Sequence, residues 1–249
     1  MNSVTSFANI LFAGHCNAFC PDCIGLQLKP SLNTENLQLR PLRNQDQFIA
    51  LLKERWVTQI SLTWTITDPL LYRFQRELID CLRSTIDWVQ LSVHTNGRLI
   101  KKIPEVFNLY DRAAISIPSF KEAIYKVIMG TRWVPDLEQI YHVSTIPIKI
   151  STLVNDYNCH DIPSFVEECY NKWVRRLVLR RLFGEQRSLT ELIDLTQIDF
   201  VYQKDFMNNP VYNYHGMEVT LWEFEHTENI VYNLFADGTI SNEYILERV

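Results

Sequence analysis

The sequence predicts an α/β protein built on parallel strands, as either a barrel or an open doubly wound sheet. Three observations carry that expectation. Strand-like and helix-like segments alternate in about six units between residues 7 and 200, the order that right-handed helical crossovers between parallel strands require. Side-chain oxygens stand where helices should begin. The 249 residues are 47% hydrophobic and 21% charged, enough to bury one large core.

In chain order, FANILFA at 7–13 reads as a strand, with Gly14 loosening the turn after it. Asn44 and Gln47 resemble a capping pair for the helix in QFIALLKERW, and QISLTWTI is the next strand. Asp68-Pro69 places an N-cap before proline at N1. Leu70, Leu71, Phe74, Leu78, Cys81 and Leu82 then keep helical spacing. WVQLSVHT ends at the turn Asn96-Gly97, and Pro104 shortens the helix that follows. RAAISIP is a short strand, followed by a capping box of Ser119 and Glu122. IPIKISTLV leads to the helix in IPSFVEECYNKW. VRRLVLRRL leads to a helix through ELIDLTQIDF, capped by Ser188 and Glu191. Residues 1–204 are therefore taken as the core. Residues 205–249 hold MEVTLWEF, NIVYNLFA and TISNEYIL, with a turn at Asp237-Gly238, and are expected to form an antiparallel β appendage packed on that core. No internal repeat is evident.

Several function classes are disfavoured. A formal charge of −5 offers no global attraction to nucleic acid. No apolar run approaches the roughly 20 residues that span a bilayer. The first residues lack the basic segment of an export signal, so a cytoplasmic location is the default expectation. GxGxxG, Walker and GxSxG motifs are absent. The six histidines show no metal-ligand spacing, and none is assigned to a metal.

Cysteine placement is the strongest chemical signal. Cys16, Cys20 and Cys23 crowd into one loop after the first strand, whereas Cys81, Cys159 and Cys169 are scattered and read as buried hydrophobes. Three thiolates suit three corners of a cubane iron–sulfur cluster. Structural zinc wants four protein ligands, and His15 is too close to Cys16 to serve beside it. A distant fourth ligand would still make a zinc site.

CNAFCPDC resembles the CxxxCxxC motif of the radical S-adenosylmethionine (radical SAM) superfamily. TWTITDPLL, SVHTNG, AISIPS, STLVNDYNCHDIPSFVE and LVLRRLFG resemble later family segments in order, so the resemblance covers roughly residues 7–187. It implies a partial (β/α)6 TIM-like barrel, with a [4Fe-4S] cluster on Cys16, Cys20 and Cys23 at its C-terminal mouth. It also implies S-adenosyl-L-methionine as cofactor, reductive cleavage to a 5′-deoxyadenosyl radical, and hydrogen abstraction from a small-molecule or peptide substrate. An electron donor such as flavodoxin or ferredoxin would be the partner. The chain departs from the pattern where Asp22 replaces an aromatic residue before the third cysteine. It departs again where Ile66-Thr67-Asp68-Pro69 replaces glycine-glycine-glutamate-proline.

On this reading Asp22 lies near the adenine, and Asp68 receives the methionine ammonium while also capping a helix. Thr95 and Asn96 face the mouth or merely end a strand. Ser116 and Asn155 contact carboxylate or ribose, or satisfy local backbone. Arg180, on one strand face with Arg176, points inward toward a substrate anion or the cofactor carboxylate, or stays in a solvated network. Trp222, Phe224, Tyr232 and Phe235 either line the substrate side or pack the strands. The competing readings are a zinc or iron–sulfur interaction protein and a degenerate family member that does not cleave the cofactor.

Overall fold

Six strands, β1 (Thr5–Phe12), β2 (Gln59–Trp64), β3 (Gln90–Thr95), β4 (Arg112–Ser116), β5 (Ile148–Val154) and β6 (Arg176–Arg181), pair in chain order, and every ladder is parallel. The computed structural model describes residues 5–227 and 229–246. The crossovers carry α1 (Gln45–Glu54), α2 (Gln75–Thr85), α3 (Pro104–Phe107), α4 (Glu122–Met129), α5 (Leu137–Val143) and α6 (Ile162–Asn171). One face of the sheet is apolar at every second position: Ile60 and Leu62, Leu91 and Val93, Ala113 and Ile115, Leu177 and Leu179. These residues form one core with Leu52, Leu78, Ile140 and Phe165 of the helices. None of the described helices is long and apolar enough to cross a membrane.

After α7 (Leu189–Leu192) come β7 (Val201–Phe206), β8 (Asn209–Tyr214), β9 (Met217–Trp222), β10 (Asn229–Leu234) and β11 (Ile240–Ser241). Antiparallel pairs form between β7 and β8, β8 and β9, and β10 and β11; only the last joins two of the three strands read from the sequence, which did not indicate β7 or β8. Two of these strands do more. β9 joins β6 and β10 joins β1, both in parallel, giving the order β11-β10-β1-β2-β3-β4-β5-β6-β9-β8-β7. Two tight reversals explain this, at Met207-Asn208 with φ of 50° and 60°, and at His215-Gly216 with φ of 50° and 94°. They turn the chain twice, so β9 returns in the direction of β6. The sequence boundary at 204/205 falls inside β7. Trp222 ends β9 and Asn229 begins β10, the two outermost parallel strands, and the chain between them reaches at most about 25 Å. The sheet is therefore curled, although no ladder joins β9 to β10 among the described residues.

Local starts and stops differ from the sequence reading in three places. Asn44 precedes α1 with φ 56°, but its side chain donates to Gly238 O at 2.9 Å instead of capping. Ser119 accepts from Lys121 N and donates to Asp161, so α4 begins only at Glu122. The helix after Ser188 does form its capping box but ends at Leu192, because Asp194 draws the backbone into a new turn by accepting from Thr196 N.

Three junctions share a feature. Trp56, Trp88 and Trp173 each follow a helix and precede the valine leading to a strand, with φ of 54°, 59° and 62° and exposures of 86%, 91% and 72%. At Trp56 the helix closes through Val57 N to Leu52 O, a Schellman ending in which glycine is the usual residue. Trp56→Gly is expected to raise stability by up to about 1 kcal/mol, since a side chain in this region is strained and the indole buries little. Urea unfolding measures it, and a loss would mean the indole makes a stabilising contact.

The other sheet face is polar. Register places Arg112, Lys149, Arg176, Arg180, Ser92, His94, Ser116 and Glu218 there. Burial, then Arg180, Arg176 and Arg112, pushes the Lys149 ammonium down to about 8. The unfolded chain holds this proton up to about 10.4. The unfolded state thus binds more protons between these values, and stability gained from Lys149 rises with pH across that window. Below pH 8 the cost of the buried charge is in full force. Lys149→Met is expected to stabilise the protein there by up to about 3 kcal/mol. The advantage over the parent should shrink toward pH 10.5, as read by denaturant titration at several pH values.

Candidate active site at the strand ends

The segment after β1 is tied to the strand that precedes it. Asn36, only 2% exposed, accepts from Ala13 N at 3.0 Å and donates to Leu11 O at 3.1 Å. The cysteine loop then crosses the C-terminal ends of the strands, where parallel α/β proteins place ligands. Thr67 donates to His15 O, and the Cys23 thiol donates to Thr65 O at 3.3 Å, both beside the end of β2. Asn96, beyond β3, donates to Asn17 Oδ1 at 2.6 Å, and Arg98 donates to Asn17 O. Phe19 N donates to Met129 O at the end of α4, and Asn155, beyond β5, donates to Asp22 at 3.3 Å.

Two glycines let the backbones approach this closely. A Cβ on Gly25 would lie 2.2 Å from Thr65 O, and one on Gly130, where φ is +64°, would lie 2.1 Å from Phe19 O. Between them the loop is clamped against β2 on one side and α4 on the other.

All three cysteines of the motif are half-buried and free. The Cys20 thiol is pushed up to about 12 by burial, then by Cys23 and Cys16. Cys16 and Cys23 are raised chiefly by burial, and Cys23 also by Cys16. The three groups are thus close enough to repel as thiolates, a situation that a cation among them reverses. Their sulfurs nevertheless point to different neighbours: Cys16 accepts from Ala18 N, Cys20 faces Met129 and Cys23 faces Thr65. Among the described residues, no three cysteine, histidine or acidic side chains converge on one point as ligands of a single metal ion.

Asp68 is 3% exposed and sits between the ends of β2 and β3. As the sequence indicated, its carboxylate caps the turn at Pro69–Leu71, accepting from Leu70 N at 2.9 Å. It also accepts from Thr95 Oγ1 at 2.9 Å and from Asn96 N at 2.7 Å. Burial raises its pKa, and these three donors oppose the rise. The long helix expected directly after Pro69 starts later, at Gln75.

The structure therefore brings Cys16, Cys20, Cys23, Asp22, Asp68, Thr95, Asn96 and Asn155 to one end of the sheet. Ser116 ends β4 on the polar face, opposite Ser151. Arg180 also lies on that face, opposite Trp222 near the end of β6. Asn17, Arg98 and Tyr244 were not singled out by sequence. Tyr244 donates to Trp64 O at 3.4 Å, and burial and Cys23 raise its pKa. Only the fold brings this C-terminal tyrosine to the cysteines. Phe235 packs with Leu11, Leu28 and Leu32, and Tyr232 belongs to the main core. Trp222 and Phe224 are more accessible, with ring centres 6.2 Å apart.

No protein-family model matches the sequence, and no curated protein is similar enough to count as a relative. The fold is that of the radical SAM enzymes, a partial TIM barrel. SuiB of Streptococcus suis bound to its precursor peptide SuiA superposes with a TM-score of 0.54 at 17% identity, over 72% of this chain and 40% of SuiB. Native anSMEcpe with bound AdoMet gives 0.52 at 14% identity, over 72% of this chain and 52% of the other. TYW1 with a lysine-pyruvate adduct gives 0.50 at 16% identity, over 79% and 74%. The chain thus spans about two fifths of SuiB and half of anSMEcpe.

The clamp on the loop is testable. Gly130→Ala is expected to cost about 2 kcal/mol or more, because its methyl meets the Phe19 carbonyl and φ is positive. Gly184→Ala also has positive φ but meets nothing within 4 Å, so it isolates the steric part. Equal losses in chemical denaturation would remove the close approach as a cause.

Proposed function

We propose that this chain is a radical SAM enzyme acting on a small-molecule or peptide substrate. The observation that carries the reading is a loop with the CxxxCxxC spacing clamped across the strand ends of a fold shared with such enzymes. The donor set suits a [4Fe-4S] cluster: three neighbouring thiols within eight residues provide for three irons and leave the fourth open to a ligand, whereas structural zinc wants four protein ligands. Cys16, Cys20 and Cys23 would hold it. When bound, the cluster would supply the electron for reductive cleavage of S-adenosyl-L-methionine, the chemistry that would lead to hydrogen abstraction from substrate.

The chain's own groups position these reactants. Asp68 locks Thr95 and Asn96 toward the mouth, and its charge favours an ammonium group there. Asn155 and the loop's Asp22, which it meets at 3.3 Å, offer contacts to ribose and adenine, and Ser116 offers a hydroxyl for carboxylate or ribose. Arg180 supplies positive charge on the inner wall. Residues 1–204 would form this core, with 205–249 extending it and bringing Tyr244 over the cysteines. Peptide substrates of SuiB and anSMEcpe, named in their complexes, support keeping peptides among the candidates. A cytoplasmic location and a flavodoxin or ferredoxin donor complete the proposal.

Anaerobic reconstitution with iron and sulfide tests it. About four irons per chain are expected, and alanine at Cys16, Cys20 or Cys23 should abolish full retention. With reductant and cofactor, 5′-deoxyadenosine and methionine should appear in equal amounts. Asp68→Asn, which keeps size but loses charge and an acceptor, should retain cluster while cleavage falls at least tenfold. One tightly held zinc without iron, or no cleavage by a fully loaded parent, would overturn the reading.

A further inference from the structure

The inner wall of the sheet carries more positive charge than the chain itself balances. Register sets Arg112 on β4, Lys149 on β5, and Arg176 and Arg180 on β6 all on the face turned away from the helices. Glu218 on β9 is the one carboxylate among the described strand positions of that face, and its Oε1 is taken by Arg176 Nε at 2.9 Å. Arg112 donates to a neutral partner, Gln59 Oε1, at 2.8 Å. Neither Lys149 nor Arg180 has a side-chain ion pair among the described residues, and Arg180 Nε is fully enclosed with no acceptor.

Such an arrangement is costly. An enclosed N–H without an acceptor forfeits its desolvation free energy, and clustered cations add mutual repulsion. The strain shows in each group. Arg180 is lowered to about 10 by burial, and His94 on β3 is held well below the ordinary imidazole range by burial and then by Lys149, Arg180 and Arg112. A neutral His94 leaves the cations uncompensated without adding to them. Sequence alternation could have served the core with aliphatic residues here, as it does at Val178. Perturbed cations gathered on one sheet face, one of them with an enclosed and unpartnered N–H, are a mark of a binding site.

We propose that Lys149 and Arg180, with Arg112 beside them, bind a compact oxyanion of the substrate, a carboxylate or a phosphate, inside the sheet beneath the cysteine loop. Arg180 lies closest to the strand ends, one residue from the end of β6, so it meets the part of the anion nearest the cysteines. Arg176, already paired with Glu218, contributes field more than contact. The assignment rests on the proposed enzyme only in calling the anion substrate; the cluster of cations is a property of the protein alone.

The full chain without cluster, and the reconstituted chain, are titrated calorimetrically with malonate, inorganic phosphate and a capped acidic peptide. In parallel, the 15Nζ resonance of Lys149 is followed. His94, Arg112, Arg176, Arg180 and Glu218 are the charged or titratable groups facing it from the packed strands. One of the three probes should bind one-to-one and raise the Lys149 pKa from its depressed value, because an anion favours the charged amine. The probe that does so distinguishes a small acid, a phosphate ester and a peptide as the source. Arg180→Met and Lys149→Met should each weaken that probe at least tenfold, and Arg55→Met, on the exposed end of α1, should not. Thermal melts verify folding, since removal of either half-buried cation is expected to stabilise. No shift of Lys149 with any probe, or equal weakening in Arg55→Met, would overturn the pocket. Loss of S-adenosylmethionine affinity in Arg180→Met, with competition between that cofactor and the probe, would overturn its assignment to substrate. A chain that binds the probe without cleaving the cofactor keeps the pocket and loses the enzyme reading; cleavage without probe binding does the reverse.

Discussion

A carboxylate at 3% exposure has to be satisfied by its neighbours, and at Asp68 those neighbours define the mouth of the sheet. Leu70 N, Thr95 Oγ1 and Asn96 N converge on it from two successive strand ends. Asn96 then passes the constraint to the cysteine loop through Asn17, and Arg98 N returns to Asn96 Oδ1. Removing any one donor leaves a buried charge short of a partner, which is why the unit acts as a whole. The position of the three cysteines relative to β2 and β3 depends on this chain of contacts.

Shape holds the loop on both flanks, Gly25 on the β2 side and Gly130 on the α4 side. Gly25 and Gly130 permit backbone approaches that no side chain allows, against Thr65 and Phe19. The two kinds of contact set different tolerances: hydrogen bonds fix direction near Asp68, and excluded volume fixes distance near Thr65 and Met129. Around that frame, thiols and Asp68 lie at the strand ends, while Arg112, Lys149 and Arg180 share the sheet face turned away from the helices, with Arg180 nearest those ends.

Much of the central sheet could be read along the chain, because each parallel strand needs a crossover and so leaves a local alternating record. Asp68-Pro69 announced its own cap, and Ser188 with Glu191 announced theirs. The end of the chain was less legible. MEVTLWEF has strand character, but nothing local says that it will run parallel to β6; that follows from two reversals at Met207-Asn208 and His215-Gly216, only one of which contains glycine. Ser119 failed as a cap because Lys121 N and Asp161, forty-two positions away, both claim its hydroxyl. Tyr244 offered no signal, since it meets the cysteine side of the sheet only through folding.

By itself, the sequence determined the alternation that makes a parallel sheet, the cysteine triad and the acidic cap at residue 68, each a pattern confined to a few neighbouring residues. Tertiary structure decided how the last strands extend that sheet at both ends and which residues clamp the loop. It also decided that cations from β4, β5 and β6 share one wall. Those outcomes depend on register and on contacts between distant segments. A side chain's local neighbours reveal its strand parity, but only the paired strands show which charges it must face.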